Sequence, residues 1–221
     1  MIKLTEKEII QLWAEKCKKA ALVLNGSDLP GCFFEYFIVA ADGAYDKLKC
    51  PVSAVIGDFD SSALKAEDIP DTVEVVKLDA IKEMTDGEAG LDYILSRGYK
   101  DITVYGALGG RQDHVIYNLT LLAIADKHKG VTVRAVGGGT EVRFISKRNP
   151  NFKMSVNVGT VVSIVPFSSR VHIMETKGLF YPLKDEDLLK KSTRGISNAA
   201  VDTEIKISLS KGEAFVFVIA G

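Results

Sequence analysis

The run Val52-Ser53-Ala54-Val55-Ile56 stops abruptly at Gly57, and two carboxylates, Asp58 and Asp60, follow with a single residue between them. A short Val/Ile-rich run reads as a strand buried on both faces, as in parallel sheets, with Gly57 letting the chain turn at its end. Asp58 and Asp60 then stand at the strand's carboxyl end, the edge at which open α/β sheets bind ligands. Two carboxylates a few ångströms apart repel unless a cation lies between them, and a hard ion such as Mg²⁺ takes oxygen ligands. An isolated D-x-D can equally be a turn that caps the following helix. What decides is the other residues that reach the same edge.

The same pattern recurs along the chain. Apolar runs at residues 20–24, 37–41, 73–78, 102–105 and 131–136 read as strands; four of them end in Asn25-Gly26, Asp42-Gly43, Gly106 and Gly137-Gly138-Gly139. A capping box, Thr85 with Glu88, opens a helix whose buried face is Leu91, Ile94 and Leu95 and which closes at Arg97-Gly98. A second helix is expected over 112–129, with Ile116, Leu119, Ala123 and Ile124 inward and Gly130 as its stop. Strands alternating with helices imply a mostly parallel sheet with right-handed crossovers. An amphipathic helix over 5–18 is expected as an addition at the surface.

Past residues 147–151 the pattern changes. Short β-type runs at 161–166, 171–175, 205–209 and 215–219 are separated by turn residues, as in an antiparallel sheet or sandwich, and 185–191 is the one stretch with a helical period. The expectation is therefore an α/β domain over residues 1–145 followed by a β-sandwich domain over 146–221. A net charge of −1 on 221 residues leaves no basic footprint for nucleic acid and no polybasic membrane patch. No apolar run approaches the roughly 18 residues of a membrane span, and the first residues are charged throughout, so a cytoplasmic protein is expected. Cys17, Cys32 and Cys50 are scattered and without metal or disulfide spacing, and are expected as small buried hydrophobes.

Parallel topology gathers the polar loop residues at one edge: Asp42, Asp58, Asp60, Asp86, and the run Gly109-Gly110-Arg111-Gln112-Asp113-His114. Asp86 falls in the first turn of its helix, where the dipole favours the ionised form that a metal ligand needs. Gly109-Gly110 ahead of a helix lets backbone approach a phosphate, and Arg111 adds a forked donor. Each feature alone has an ordinary structural explanation, as a turn, a cap, a tight connection or a packed histidine. Four carboxylates, an arginine and a Gly-rich turn at consecutive strand ends are instead the electrostatics of phosphoryl or nucleotidyl transfer with divalent cations. No Walker G-x-x-x-x-G-K-[ST] is present, which excludes an ordinary P-loop.

Six motifs in order, Asn25-Gly26, Ala41-Asp42-Gly43-Ala44, Gly57-Asp58-Phe59-Asp60-Ser61, Lys82-Glu83-Met84-Thr85-Asp86, Gly109-Gly110-Arg111-Gln112-Asp113-His114 with Asn118, and Gly195-Ile196-Ser197-Asn198, resemble those of the thiamine pyrophosphokinases. The resemblance implies transfer of the β,γ-diphosphoryl group of ATP to the hydroxyl of thiamine, with Mg²⁺, AMP as the nucleotide product, and a homodimer whose thiamine site lies at the subunit interface. It implies ATP and Mg²⁺ binding by the first domain and thiamine binding by the second. Carried over residue by residue, it makes Asp58, Asp60, Asp86, Arg111 and Asp113 catalytic, with Asp58, Asp60 and Asp86 on the metal. Nucleotide contacts are implied for Asn25, Gly26, Asp42, Gly43, Ser61 and Lys82, and for Thr85, Gly109, Gly110, His114 and Asn118. Ser197 and Asn198 are implied for thiamine. Ala44 and Glu83 depart mildly from the family pattern, and Ala199-Ala200-Val201 stands where some members carry an aromatic that stacks on thiamine. Phe180 or Tyr181 can line that pocket, or both can be core aromatics.

Two other readings follow from the same residues. Asp58-Phe59-Asp60 could be the nucleophile and acid/base pair of an aspartate-dependent phosphohydrolase, whose strand would normally come first in the fold; here it is third, and residues 109–114 are left unexplained. A nonenzymatic nucleotide- or thiamine-binding module is the other. In the kinase reading Asp113 is the candidate to orient or deprotonate the thiamine hydroxyl, although a carboxylate beside metal ions makes a weak base.

Overall fold

A computed structural model describes residues 17–27, 29, 35–59, 65–79 and 83–220. The expected helix over 5–18 lies outside them except for Cys17 and Lys18, which are not helical. No helix among the described residues is long and apolar enough to cross a membrane. The chain divides into two compact units, Met1–Gly137 and Gly138–Gly221, with the division ahead of the expected boundary near residue 146.

The first unit follows the alternation in the sequence: β1 (Lys19–Val23), β2 (Tyr36–Ala41), β3 (Ala54–Gly57), β4 (Glu74–Lys77), α1 (Asp86–Ser96), β5 (Asp101–Tyr105), α2 (Gln112–Ala125) and β6 (Thr132–Gly137). Its strands lie side by side in the order β6-β5-β1-β2-β3-β4, and every pairing among them is parallel. Both faces of β1 are buried, which is why its run is continuously apolar. Ala21 and Val23 join Ile38, Ala40 and Val55 in one cluster, while Leu22, on the other face, lies against α1. Because consecutive parallel strands all end in the same direction, the loops after β1, β2, β3 and β5 open on one edge.

Two expectations about α2 are corrected. The helix ends at Ala125, followed by turn backbone to residue 130, and Ile116, expected inward, is 66% exposed. The buried stripe is Leu119, Leu122 and Ala125, with Leu121 beside it. The first two turns instead present Asp113, His114, Tyr117 and Asn118 to a cleft. The cysteines are also less buried than expected: Cys17 and Cys50 are half-buried, and Cys32 lies outside the described residues.

The second unit holds two antiparallel sheets. One runs β12-β9-β14-β7 and the other β11-β10-β13-β8, from β7 (Thr140–Ser146), β8 (Asn151–Ser155), β9 (Val161–Pro166), β10 (Arg170–Lys177), β11 (Lys184–Leu189), β12 (Asn198–Ala199), β13 (Glu204–Lys211) and β14 (Glu213–Ile219). Val162, Ile164 and Val216 of the first sheet and Ile173, Ile205 and Ile207 of the second belong to one buried cluster, as in a sandwich. Residues 185–191, expected as a short helix, contribute to β11. Val171↔Leu188 and Ile173↔Glu186 place alternate residues on the sheet's inner side, so tertiary pairing overrides a weak local period.

Candidate active site

Asp42 comes first. It follows β2, opens a 3-10 turn (Asp42–Lys47), is buried, and holds a left-handed backbone, φ 42°, that short polar side chains tolerate better than most. Gly57 at the end of β3 owes its identity to this neighbour rather than to a turn. A Cβ on Gly57 would lie 2.9 Å from the Asp42 Cβ, closer than carbon atoms can pack. Asp58 follows directly, and Phe59 after it is again left-handed at φ 62°. Asp86 is the first residue of α1, whose N-cap is Thr85; the Thr85 hydroxyl accepts the Glu88 N–H at 3.2 Å.

These elements bring one carboxylate oxygen each from Asp42, Asp58 and Asp86 within 4.8 Å of one another. Asp42 was expected only as a nucleotide contact, and the structure makes it the third member of the acidic set. The expected third member, Asp60, lies outside the described residues, as do Ser61 and Lys82. Three oxygen donors in such proximity fit one hard divalent cation, and no softer ligand stands among them.

A cleft of about 470 Å³ opens at this edge. Asp42, Thr85 and Asp86 line one part of it, and Asn25 and Gly26 from the loop after β1 line another. Gly109, Gly110 and Arg111 complete it with Asp113, His114 and Asn118 from α2. Of the expected nucleotide residues, Gly43 alone among the described ones does not reach the cleft; it is buried within the 3-10 turn. The floor depends on close backbone approach. Gly106, at φ +68°, would place a Cβ 2.2 Å from the Leu24 carbonyl oxygen, so only glycine brings the loops after β1 and β5 together.

Arg111 is the N-cap of α2, with the left-handed Gly110 before it, so the free N–H groups of the helix start and the guanidinium share one region. Asp113 grips that guanidinium twice, accepting from Nε at 3.2 Å and from Nη2 at 2.6 Å. The Arg111 hydrogen bonds hold the Asp113 carboxyl down to about 2, and Asp113 raises the arginine in turn. A carboxylate held so low is a poor proton acceptor; its geometry suits fixing the arginine's fork.

Two residues at this edge were not expected from the sequence. Lys47, at the end of the 3-10 turn, donates from Nζ to the carbonyls of Asn25 (3.2 Å) and Gly26 (3.3 Å), tying the loop after β1 to the turn that carries Asp42. Tyr117 lines the cleft from α2 and is 68% exposed. Its position, i+4 from Asp113 and i+3 from His114, was the available signal, since those residues share a helix face.

Ser197 and Asn198 belong to the second unit. Ser197 is left-handed at φ 57° and its N–H donates to the buried Ser163 hydroxyl at 2.9 Å. Asn198 starts β12, and its amide bonds the Tyr181 backbone in both directions.

Comparison with known proteins gives the family. Residues 35–134 match the family described as thiamin pyrophosphokinase, catalytic domain, and residues 150–213 match the thiamin pyrophosphokinase, vitamin B1 binding domain. The thiamine pyrophosphokinase of Bacillus subtilis (strain 168) is 30% identical over 174 residues, covering 73% of this chain and 75% of the relative. The crystal structure of a Bacillus subtilis thiamine pyrophosphokinase superposes with a TM-score of 0.78 at 21% identity, over 92% of this chain and 99% of that one. The Candida albicans enzyme superposes at 0.74 and 15% identity, over 95% and 91%. The chain belongs to the thiamine pyrophosphokinase family.

Proposed function

We propose that this chain transfers the β,γ-diphosphoryl group of ATP to the hydroxyl of thiamine, forming thiamine diphosphate and AMP. The observation that carries the reading, given the family, is the cleft in which Asp42 and Asp86 stand with the Gly109-Gly110-Arg111 loop, an Asp58 carboxylate oxygen lying within 4.8 Å of theirs. A polyphosphate can enter so acidic a site only with cations, and the loop offers the backbone and guanidinium donors that phosphate oxygens take. Asp42, Asp58 and Asp86 would hold Mg²⁺, which when bound neutralises phosphate charge and polarises the phosphorus under attack. Asp60, Ser61 and Lys82 remain proposed contacts from the motif match.

Arg111, aligned by Asp113, binds the diphosphoryl group in transit, and the first turn of α2 with His114 and Asn118 contributes to holding the nucleotide. The bond that breaks joins the α- and β-phosphates, so the attacking hydroxyl must approach the β-phosphorus in line. Asp113 serves as a positioning residue in this scheme, not as the base. The first domain is assigned to ATP and Mg²⁺, and the second to thiamine through Ser197 and Asn198. The assembly we propose is a homodimer with thiamine at the subunit interface, in the cytoplasm where ATP is supplied.

The test is incubation with ATP, Mg²⁺ and thiamine followed by chromatography. AMP and thiamine diphosphate should appear one for one. ADP with thiamine monophosphate would overturn the choice of phosphorus, and free phosphate without a thiamine ester would favour the hydrolase reading. Binding without turnover would favour the nonenzymatic one.

A further inference from the structure

The loop after β1 is fixed by two neighbours. The Leu24 N–H still donates to the Tyr105 carbonyl of β5 at 2.9 Å, but at Asn25 and Gly26 the chain has left the sheet. The carbonyl oxygens of these two residues converge on a single donor, Lys47 Nζ, at 3.2 Å and 3.3 Å. Two carbonyls aimed at one point gather the negative ends of two peptide dipoles beside a cleft that must admit a polyanion, and the ammonium satisfies both. Against the loop after β5 there is no clearance. A Cβ on Gly26 would lie 2.0 Å from the Gly106 carbonyl oxygen, and one on Gly109 would lie 2.2 Å from Ser27 Oγ.

An open groove of about 490 Å³ adjoins the cleft and shares Asn25, Gly26 and Gly110 with it. Of the described residues that line the groove, Asn25, Gly26, Ser27 and Leu29 follow β1 and Gly110 follows β5, whereas Lys47 alone comes from the turn after β2. Asn25 and Gly26 therefore form a wall with the cleft on one side and the groove on the other, and Lys47 ties that wall to the 3-10 turn. The same six-residue turn, Asp42–Lys47, begins with a carboxylate of the acidic set and ends with this tie. A wall free to swing is in the binding position only part of the time, and apparent affinity falls by that fraction.

We propose that Lys47 is a positioning residue for the nucleotide: its ammonium holds the loop after β1 where Asn25 and Gly26 meet the ribose and α-phosphate of ATP, and it touches neither the phosphates nor thiamine itself. This rests on the reaction proposed above and adds to it the residue that pre-forms one wall of the nucleotide site. The acidic set and Gly109-Gly110-Arg111 take the β,γ-diphosphoryl group, which leaves the part of the cleft lined by Asn25 and Gly26 for the rest of the nucleotide.

The experiment is calorimetric titration of the full chain with ATP and with AMP, each with Mg²⁺ and without thiamine, for the wild type, Lys47→Met and Lys47→Arg, together with kcat and the KM for each substrate. Methionine keeps the length of the side chain and removes its donors, and because the lysine is exposed the variant should fold, with a Tm lower by no more than about 4 °C. Lys47→Met should bind ATP and AMP each roughly tenfold more weakly. Its KM for ATP should rise by the same factor while kcat and the KM for thiamine stay within about twofold, the pattern of lost uniform binding. Lys47→Arg, which keeps charge and donors, should recover most of both affinities. ATP affinity within about twofold of wild type in Lys47→Met overturns the proposal, as does an arginine that restores neither affinity. A loss confined to ATP, with AMP bound as in the wild type, would make Lys47 a phosphate ligand and overturn it too. A common fall in kcat and in affinity for both substrates with a larger drop in Tm would reduce Lys47 to general support of the fold. A wild type that binds both nucleotides in this Lys47-dependent way yet makes no thiamine diphosphate would refute the proposed reaction and leave this assignment standing; a wild type that binds neither nucleotide refutes this assignment.

Discussion

Asp42→Asn should move activity and metal-free stability in opposite directions. The three carboxylates sit within 4.8 Å of one another. At that distance two unit charges repel by about 3.5 kcal/mol at an effective dielectric of about 20, and by about 0.9 kcal/mol at that of water. Asp42 takes part in two such pairs, so removing its charge relieves between about 2 and 7 kcal/mol of repulsion. Because Asp58 and Asp86 are only half-buried, the lower end applies. For a chain of this size about 2 kcal/mol corresponds to roughly 4–8 °C in Tm. Asparagine accepts the left-handed backbone at this position as readily as aspartate, so the change tests charge and leaves the conformation alone.

With Mg²⁺ the sign reverses. A ligand that binds only the folded state stabilises it by RT ln(1 + [L]/Kd), about 2.7 kcal/mol at a hundredfold excess over Kd, and the variant has lost one oxygen ligand of the set. The assay is thermal unfolding in chelator and in millimolar Mg²⁺, paired with the rate of AMP formation. The wild type should gain Tm with Mg²⁺. Asp42→Asn should start higher, gain little, and turn over on the order of 10² times more slowly, as for loss of one electrostatic contact to the transition state. An equal Mg²⁺-induced rise in both proteins, with turnover within tenfold, would refute the assignment of Asp42 to the metal.

Gly106→Ala forces a Cβ to 2.2 Å from the Leu24 carbonyl oxygen at φ +68°, and should cost about 3 kcal/mol or more in urea unfolding; a loss under 1 kcal/mol would mean the two loops can part freely. The Asp113 carboxyl, held down to about 2 by Arg111, is an acid whose folded value lies below its unfolded one. Its contribution is therefore complete above the ordinary carboxylate range and is lost only as pH falls through about 2. Any acidic limb in the rate profile above about pH 4 must come from another group. Asp113→Asn should scale that profile downward without moving its inflection, and a shifted inflection would restore Asp113 as the base. Under subunit exchange, mixing Asp58→Asn with a protein carrying Ser197→Ala and Asn198→Ala should recover activity in hybrid dimers, whereas a fully active monomer in sedimentation would rule out the shared site.

The parallel sheet was legible because burial on both faces demands continuous apolar runs, as in β1, β2, β3 and β5, while the less buried β4 and β6 show through their valines. Four strands of the second unit, β9, β10, β13 and β14, were read from short β-type runs between turn residues; β7, β8 and β12 were not, and neither was β11. Its sequence, Lys-Asp-Glu-Asp-Leu-Leu, is acidic and lacks β-branched residues, and only pairing with β10 makes it a strand. Ile116 misled for a related reason: helical period identifies a stripe but not where the surface beneath that stripe ends. Lys47 was invisible because its partners are main-chain carbonyls across the β1 loop, and no sequence pattern marks a lysine for that task.

Strain, in contrast, follows the motifs. Among the described residues four non-glycine positions have positive φ: Asp42, Phe59, Asp185 and Ser197. A residue held there typically costs on the order of 1 kcal/mol or more and persists only where its surroundings over-determine it. Asp185 directs its carboxylate to His172 Nε2 at 3.1 Å, a local contact between β10 and β11. The other three fall inside sequence motifs that pointed to the chemistry, Ala41-Asp42-Gly43, Asp58-Phe59-Asp60 and Ile196-Ser197-Asn198. At two of them the strained backbone serves a group described above. Asp42 is turned toward Asp58 and Asp86. Ser197 is fixed through its N–H to Ser163, just ahead of the Asn198 amide that pins Tyr181. Glycine would relieve the strain at such positions, so at Asp42 the strained backbone is the cost of a carboxylate directed at Asp58 and Asp86.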